Sequence, residues 1–172
     1  MIFGVTGLAR SGKDTFADML VRHYGFVKLN MSDCLRDELK RLGKPSTKDN
    51  MSILGDEWRS LWGYDIIIRR TLEDAKRFSK VVITGFRSPQ EVEFMKKNNP
   101  SFFLVTLVAS DETRFSRRNS DDPEDFDSFI GRDMRDVNNK GLGKVIAAAD
   151  YVIDNDIDGD MKDKAKEFLS SL

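Results

Sequence analysis

The chain has 172 residues, of which 40% are hydrophobic and 33% are charged. This length predicts a single domain with a sizeable hydrophobic core. The 28 basic and 29 acidic side chains nearly balance, which excludes the strongly basic surface typical of nucleic-acid-binding proteins. We therefore expect no nucleic-acid partner.

Cysteine usage and hydropathy indicate the compartment. Cys34 is the only cysteine, which excludes an internal disulfide and suits a reducing environment, so we interpret it as a packing residue. No apolar run reaches about 18 residues, and the N-terminus lacks the basic-then-apolar layout of a signal peptide. We expect a soluble cytoplasmic protein with no membrane partner, and the oligomeric state stays open.

The first predicted unit is a strand, a loop and a helix. IFGVTG is a short apolar run that ends in glycine, as buried parallel strands do. From Lys13 onward, apolar residues at 3.6-residue spacing predict a helix that Gly25 ends. His23 lies in the last turn, where the helix dipole favours a cation, and is no catalytic candidate.

The loop between strand and helix reads GLARSGK, which matches the phosphate-binding pattern of glycine, four residues, glycine and lysine. Such a loop binds an anion through backbone N–H groups and the following helix N-terminus. The sequence therefore predicts an ATP site with magnesium, and a glycine turn without ligand is the alternative. The predicted nucleotide-binding residues are Gly7, Leu8, Ala9, Arg10, Ser11, Gly12, Lys13, Asp14 and Thr15.

Asp14 stands where this pattern usually carries a hydroxyl, and Thr15 supplies a hydroxyl one place later. A bare carboxylate facing the phosphates would oppose nucleotide binding. Facing Mg²⁺, directly or through water, the same carboxylate becomes a ligand. We favour the second interpretation and assign Asp14 and Thr15 to the metal.

A second strand, FVKLN, leads to Ser32, a plausible N-cap for a helix over residues 33–42. Asp33 and Arg36 are three residues apart and share one face of that helix. Further helical patterns cover about 47–62 and 64–78.

The segment GDEWRSLWG lies in the first of these later patterns and contains Arg59, a candidate contact for a substrate. Trp58 and Trp62 flank it. Aromatic residues at helical spacing predict core packing, and stacking on a base is the alternative.

The third strand, KVVITG, precedes Arg87 and a helix that starts at Pro89. A guanidinium at such a position suits a phosphate, because it donates two parallel hydrogen bonds. The fourth strand, FFLVTLVAS, runs into DETRFSRR.

Arginines flank the polar tract NSDDPEDFDSF on both sides. They are Arg114, Arg117, Arg118, Arg132 and Arg135. Charge placement dominates phosphoryl transfer, and one positioned arginine is worth about 10³ to 10⁵ in rate. Arg114 and Arg132 are the leading candidates. Salt bridges to Asp111, Asp121, Asp122 and Asp133 are the alternative.

YVID is a fifth strand, and MKDKAKEFL is a C-terminal amphipathic helix. Strands thus alternate with helices along the whole chain. This alternation predicts an α/β fold whose parallel sheet is covered by helices on both faces.

Two of these segments carry a family resemblance. MSDCLRDEL and TGFRSP resemble the acceptor-side helix and the third-strand turn of adenylate kinases and other nucleoside monophosphate kinases. The resemblance implies a three-layer P-loop kinase fold, with sheet order 2-3-1-4-5, an acceptor-binding helical insertion over about 31–78 and a lid over about 114–135. It implies catalytic roles for Lys13, Asp33, Arg87, Arg114 and Arg132, and acceptor contacts by Asp33, Arg36, Arg59 and Arg87.

Two positions extend this resemblance. Nucleotide kinases usually carry an aspartate where this chain has Thr84, and we hypothesise that Asp14 compensates for its absence. The segment A-D-x-V-I-x-N also resembles dephospho-coenzyme A kinases. This resemblance implies that residues 155–157, which begin with Asn155, form the adenine pocket.

Over its whole length the chain resembles archaeal P-loop kinase-like proteins, through MSDCLRDELKRLGKPST, ITGFRSPQEVEF and IAAADYVIDN. The implied function is transfer of the γ-phosphoryl group of Mg·ATP to a small nucleotide acceptor, first of all a nucleoside monophosphate. One alternative is a dephospho-coenzyme A kinase, in which Asp33 acts as base toward a ribose hydroxyl. Another is an ATP-dependent switch or assembly factor with slow ATPase activity.

Overall fold

The computed structural model describes residues 1–139, 141–156 and 159–172. The strands are β1 (Ile2–Thr6), β2 (Val27–Asn30), β3 (Val81–Thr84), β4 (Phe102–Val108) and β5 (Tyr151–Asp154). The helices are α1 (Lys13–Tyr24), α2 (Asp33–Arg41), α3 (Lys48–Trp62), α4 (Ile66–Ala75), α5 (Pro89–Asn98), α6 (Asp111–Ser116), α7 (Phe126–Asn139), α8 (Leu142–Ala147) and α9 (Met161–Ser170). Within these ranges no helix combines the length and apolar character needed to cross a bilayer.

The strands form one parallel sheet in the order β2-β3-β1-β4-β5. β1 is central, with Ile2 in register with Val81 on one side and Phe102 on the other. This arrangement confirms the predicted fold class and strand order. The carboxyl ends of the strands meet at one edge, where α/β sheets carry their ligand-binding loops.

One face of the sheet packs against α1 and α9. Phe3, Phe16 and Phe168 are fully buried there, and the Phe168 ring centre lies 5.0 Å from that of Phe3 and 5.8 Å from that of Phe16. Burying one such ring contributes about 2 to 3 kcal/mol. These contacts hold the C-terminal helix against the helix that follows the phosphate-binding pattern.

The other face packs against α2 to α5 and α8, with Ile68, Ile83 and Met95 at the centre of the core. Trp58 belongs to this core at 5% exposure, which confirms core packing, whereas Trp62 is 47% exposed. Cys34 packs against the same core, and burial raises the pKa of its thiol to about 11.

Local sequence signals explain most helix ends. Gly25 ends α1 with φ +72°. Ser88 and Glu91 form a capping box that starts α5, with Pro89 in the first turn. Ser32 precedes α2 as predicted, but its side chain does not cap the helix. Its hydroxyl donates to Oδ1 of Asn30 at 2.8 Å instead.

The sequence patterns missed α8. This helix has six residues and buries Val145 as its single fully buried side chain. The helix is shorter than two turns, so its sequence is too short to show apolar residues repeating every 3.6 positions. The predicted helix over 64–78 is also shorter in the structure, because α4 covers Ile66–Ala75.

Candidate active site

The loop over residues 7–12 joins β1 to α1 at the carboxyl edge of the sheet. Gly7 and Gly12 have φ angles of +142° and +97°, and a Cβ on Gly12 would lie 2.3 Å from Nδ2 of Asn155. The backbone path therefore requires glycine at both positions. Arg10 has φ +63°, a left-handed conformation that costs a non-glycine residue about 1 kcal/mol.

Lys13 begins α1, and its ammonium turns back over the loop. Its Nζ donates to the carbonyl oxygen of Leu8 at 3.3 Å. Burial lowers the pKa of Lys13, while the Asp14 carboxylate raises it and the Arg10 guanidinium lowers it. Because an incoming anion would offset this burial penalty, the lysine is suited to a phosphate.

Asn155 connects the loop to the end of β5. Its Nδ2 donates to the carbonyl oxygen of Ser11 at 2.9 Å, and its Oδ1 accepts from Nζ of Lys164 at 3.3 Å. Its own carbonyl oxygen accepts from Arg117 at 2.8 Å. The Asn155 side chain thus braces the loop. The remainder of the predicted adenine pocket includes Ile157, which lies outside the described residues.

Asp14 is exposed, at 60% for its side chain, and Lys28 is beside it. The Lys28 ammonium lies 3.3 Å from Oδ1 of Asp14 and 3.0 Å from Oδ1 of Asp18. The sequence analysis missed Lys28, although a lysine inside an apolar strand was an available signal. Thr15 is exposed, and the buried hydroxyl of Thr84 has no hydrogen-bond partner among the described residues.

Arg114 is buried, at 1% exposure, and its guanidinium lies between the loop over residues 7–12 and helix α7. Its guanidinium donates to the Ala9 carbonyl oxygen at 3.0 Å, to Asp111 at 2.5 Å, and to Asp133. Although burial opposes its charge, the hydrogen bonds to Asp133 and Asp111 raise the pKa of Arg114. The ion-pair alternative therefore describes the contacts of this arginine.

Arg132 also forms an ion pair, since its Nη1 donates to Asp122 at 2.6 Å. Asp122 accepts a second hydrogen bond from Nε of Arg10, at 2.5 Å. The tract between α6 and α7 is thereby connected to the loop over residues 7–12. The pairing of Arg132 with Asp122 is the ion-pair alternative of the sequence analysis, whereas the contact of Arg10 with Asp122 was not predicted.

Arg117, Arg118 and Arg135 are exposed. The guanidinium of Arg118 lies 4.0 Å from the ring centre of Phe115, a cation–π contact. These three arginines lie within the predicted lid, and among the described residues their side chains form no hydrogen bond with the guanidinium of Arg114.

The acceptor-side residues follow β2 and β3 at the same sheet edge. Asp33 pairs with Arg36 on α2 and accepts from the backbone N–H of Asn30 at 2.9 Å. Arg87 is exposed, and within the described residues no carboxylate forms a salt bridge with its guanidinium.

Glu91 organises this region and was missed by the sequence analysis. Its Oε2 accepts from the backbone N–H groups of Arg87 and Ser88, at 2.9 and 3.1 Å. Among the residues that the structure describes, its Oε1 has no hydrogen-bond partner, and it lies 3.7 Å from Nη2 of Arg59. One buried carboxylate thus fixes the turn that carries Arg87 and faces Arg59.

An open cleft of about 320 Å³ adjoins this turn. Ser88 and Gln90 form one wall, and Tyr64, Asn138 and Lys144 contribute to the others. The cleft offers hydroxyl, amide and ammonium groups, which suit a small polar molecule.

The parallel sheet, the glycine loop with its half-buried lysine and the arginine-rich segment after β4 define a P-loop kinase-like protein. A family model described as an AAA domain matches residues 6–128. The chain belongs to the UPF0200 protein family. The UPF0200 protein of Thermoplasma volcanium is 35% identical over 156 residues, covering 88% of this chain and 86% of that protein. The relative from Staphylothermus marinus is 36% identical over 157 residues, covering 88% and 82%.

Solved structures with the same fold include two shikimate kinases. The enzyme from Bacteroides thetaiotaomicron has a TM-score of 0.64 at 17% identity, covering 99% of this chain and 96% of that chain. The enzyme from Aquifex aeolicus has a TM-score of 0.58 at 19% identity, covering 99% and 95%. These likenesses confirm the P-loop kinase-like fold, and the relatives confirm the archaeal resemblance.

Proposed function

We propose that this protein transfers the γ-phosphoryl group of ATP to a small nucleotide-type acceptor, in the first place a nucleoside monophosphate. The observation that carries the proposal is a half-buried lysine, Lys13, in a glycine loop at the same sheet edge as the acceptor-side arginines. A donor site and an acceptor site at one edge are what transfer between two anions requires.

On the donor side, the backbone N–H groups of residues 7–12 and the N-terminus of α1 bind the ATP phosphates, and Lys13 bridges the outer two. Asp14 fits a magnesium ligand, because it is exposed and already attracts the Lys28 ammonium. Asp14, with Thr15 beside it, would hold Mg²⁺. Bound there, the ion neutralises charge on the outer phosphates.

Transfer needs little covalent chemistry from the protein. An oxygen of the acceptor phosphate forms a bond to the γ-phosphorus, and the bond between that phosphorus and the β–γ bridging oxygen breaks to leave ADP. The attacking oxygen is already ionised, so no base is needed. Lys13 and Arg132 stabilise the transferring oxygens, and Arg114 acts by holding the loop through the Ala9 carbonyl.

On the acceptor side, Arg36, Arg59 and Arg87 bind the acceptor phosphate, and Asp33 orients Arg36. The cleft beside Ser88 receives the rest of the acceptor. Arginine suits this task because its fork matches two phosphate oxygens.

Replacing Asp33 by Asn discriminates between the acceptor classes. A nucleoside monophosphate kinase keeps most activity in D33N, since its acceptor needs no base. A dephospho-coenzyme A kinase loses nearly all activity, because a ribose hydroxyl must be deprotonated. An ATP-dependent switch shows slow ATPase activity and no phosphorylated small molecule in either variant.

The direct test is a panel assay with γ-labelled ATP and Mg²⁺ against nucleoside monophosphates and dephospho-coenzyme A. We expect label in a nucleoside diphosphate for the wild type and loss of at least about 100-fold in K13A. K40A, which changes an exposed lysine of α2, is the matched control. No calorimetric response of the wild type to Mg·ATP would contradict the proposal.

A further inference from the structure

Asp122 lies in the polar tract between α6 and α7, and its side chain is 6% exposed. Its Oδ2 accepts from Nε of Arg10, and its Oδ1 accepts from Nη1 of Arg132. A third hydrogen bond, from the backbone N–H of Asn119 at 3.1 Å, fixes the carboxylate within the tract. One side chain therefore connects an arginine of the phosphate loop to an arginine of the lid.

Both arginines act on the same lysine. After the larger effect of burial and the opposing effect of Asp14, the Arg10 and Arg132 guanidiniums lower the pKa of Lys13. Like charges oppose one another, and the carboxylate of Asp122 pairs with both guanidiniums. Hydrogen bonds, first from Arg132, outweigh burial and hold the pKa of Asp122 at about 2, so its charge is present at neutral pH.

The pairing with Asp122 leaves donors available to a ligand. Nη2 of Arg132 is buried and has no hydrogen-bond partner in the described ranges of the chain. Arg10 uses Nε for Asp122, and its terminal nitrogens form no hydrogen bond within the part of the chain that the structure describes. A buried N–H without a partner is costly, and a phosphate oxygen would satisfy it.

We propose that Asp122 is a positioning residue for phosphoryl transfer, which presents the free donors of Arg10 and Arg132 to the phosphates of ATP. The inference rests on the proposed function and adds to it a residue in the lid and an arginine in the loop. Asp122 touches neither substrate. It acts by fixing two guanidiniums beside Lys13, where they would otherwise separate.

This role predicts different effects on the two kinetic constants. D122N removes a negative charge near the triphosphate, so the KM for Mg·ATP does not rise. The two arginines lose their common anchor, so the transition state loses stabilisation and kcat falls. A purely structural role would lower the melting temperature and weaken ATP binding together.

The experiment measures ADP formation from Mg·ATP by the full chain, which counts transfer to an acceptor and to water alike. We expect kcat to fall about 10- to 100-fold in D122N, with KM for Mg·ATP unchanged or lower. D121N is the matched control, because Asp121 is the exposed neighbour in the same tract, and it keeps wild-type constants. D122E retains the negative charge. We expect its log kcat to lie at least halfway from the D122N value back to the wild-type value.

If D122N does not accumulate as a folded protein, D122E carries the test alone, with a smaller fall in kcat at constant KM. Wild-type kcat in D122N overturns the inference, as does a rise in KM that accounts for the whole loss. A wild-type chain that neither binds nor turns over Mg·ATP contradicts the proposed function and this inference with it. Normal wild-type turnover with a neutral D122N contradicts this inference alone.

Discussion

The donor side and the acceptor side of the candidate site are held in different ways. Around the phosphate loop, the contacts join residues far apart in the chain, as in Arg10 with Asp122 and Asn155 with Ser11, which are 112 and 144 positions apart. On the acceptor side, Arg36 and Arg59 each pair with a carboxylate three residues away on the same helix. Arg59 also faces the buried Glu91 of α5, at 3.7 Å.

This difference indicates that the donor side is preformed, whereas the acceptor side can rearrange. Partly buried long-range contacts fix the loop before a ligand arrives, so little is lost in ordering it. An exposed pair at i,i+3, such as that of Arg36 with Asp33, contributes about 0.2 to 0.5 kcal/mol and is released easily. Under the proposed function Arg36 would therefore change partners readily when a phosphate binds, and fold alone leaves the acceptor undefined.

The strongest way to break the donor side is G12A. The new Cβ would collide with Asn155 and meet a left-handed backbone, so we expect Mg·ATP affinity to fall at least about 100-fold. Isothermal titration calorimetry measures this. G25A is the control, since Gly25 is also left-handed but faces open space. Equal loss of affinity in both variants would show that general backbone strain, not the loop, is responsible.

Replacing Arg87 by alanine tests the acceptor side. We expect the KM for the nucleoside monophosphate to rise about 10- to 100-fold, because the substitution removes an exposed guanidinium that, under the proposed function, binds the acceptor phosphate. The KM for Mg·ATP should stay within about twofold. R77A, at an exposed arginine beyond α4, serves as the comparison. A rise in the KM for Mg·ATP instead would place Arg87 on the donor side.

A smaller effect is expected from K28M, which removes the ammonium beside Asp14. The apparent affinity for Mg²⁺ in the presence of ATP should increase about 3- to 10-fold, since a positive charge no longer opposes the ion. Magnesium titration of the ATPase rate measures it. D18N leaves the Lys28–Asp14 pair in place and should change this affinity less. If the K28M variant and the D14S variant both kept the wild-type magnesium dependence, Asp14 would not be a ligand of the metal.

The smallest expected effect concerns the pH dependence of stability. Burial raises the pKa of Glu91, against the opposing backbone hydrogen bonds from Arg87 and Ser88. A carboxyl group with a raised folded pKa stabilises most below its ordinary value and loses that contribution as pH rises through the folded value.

We therefore expect the free energy of unfolding of the wild type, relative to E91Q, to decrease between about pH 4 and pH 7. Urea unfolding at several pH values measures the difference. E93Q, at an exposed position of the same helix, should show no such trend. A difference that stays constant over this range would mean that Glu91 is not destabilised by burial.

Elements with a clear period or terminal glycine were predicted from the sequence, because their signals lie within one segment. The strand ending before Gly7 and the helix ending at Gly25 are examples. Lys28, Glu91 and the contact of Asp122 with Arg10 were not predicted, since each acts through a partner from another element. A single sequence shows charges in order along the chain and contains no signal for which distant charges meet.

The C-terminal helix has a consequence for how the protein is made. Phe168 of α9 packs against Phe16 of α1, and Met161 would lie 3.3 Å from a Cβ on Gly12. Lys164 of the same helix donates to Asn155, which braces the loop. The loop precedes every helix of the described chain, whereas α9, which supports the loop, follows all five strands. Under the proposed function, a nascent chain on the ribosome would therefore acquire its ATP site only after α9 has emerged, which would couple nucleotide capture to the packing of that helix.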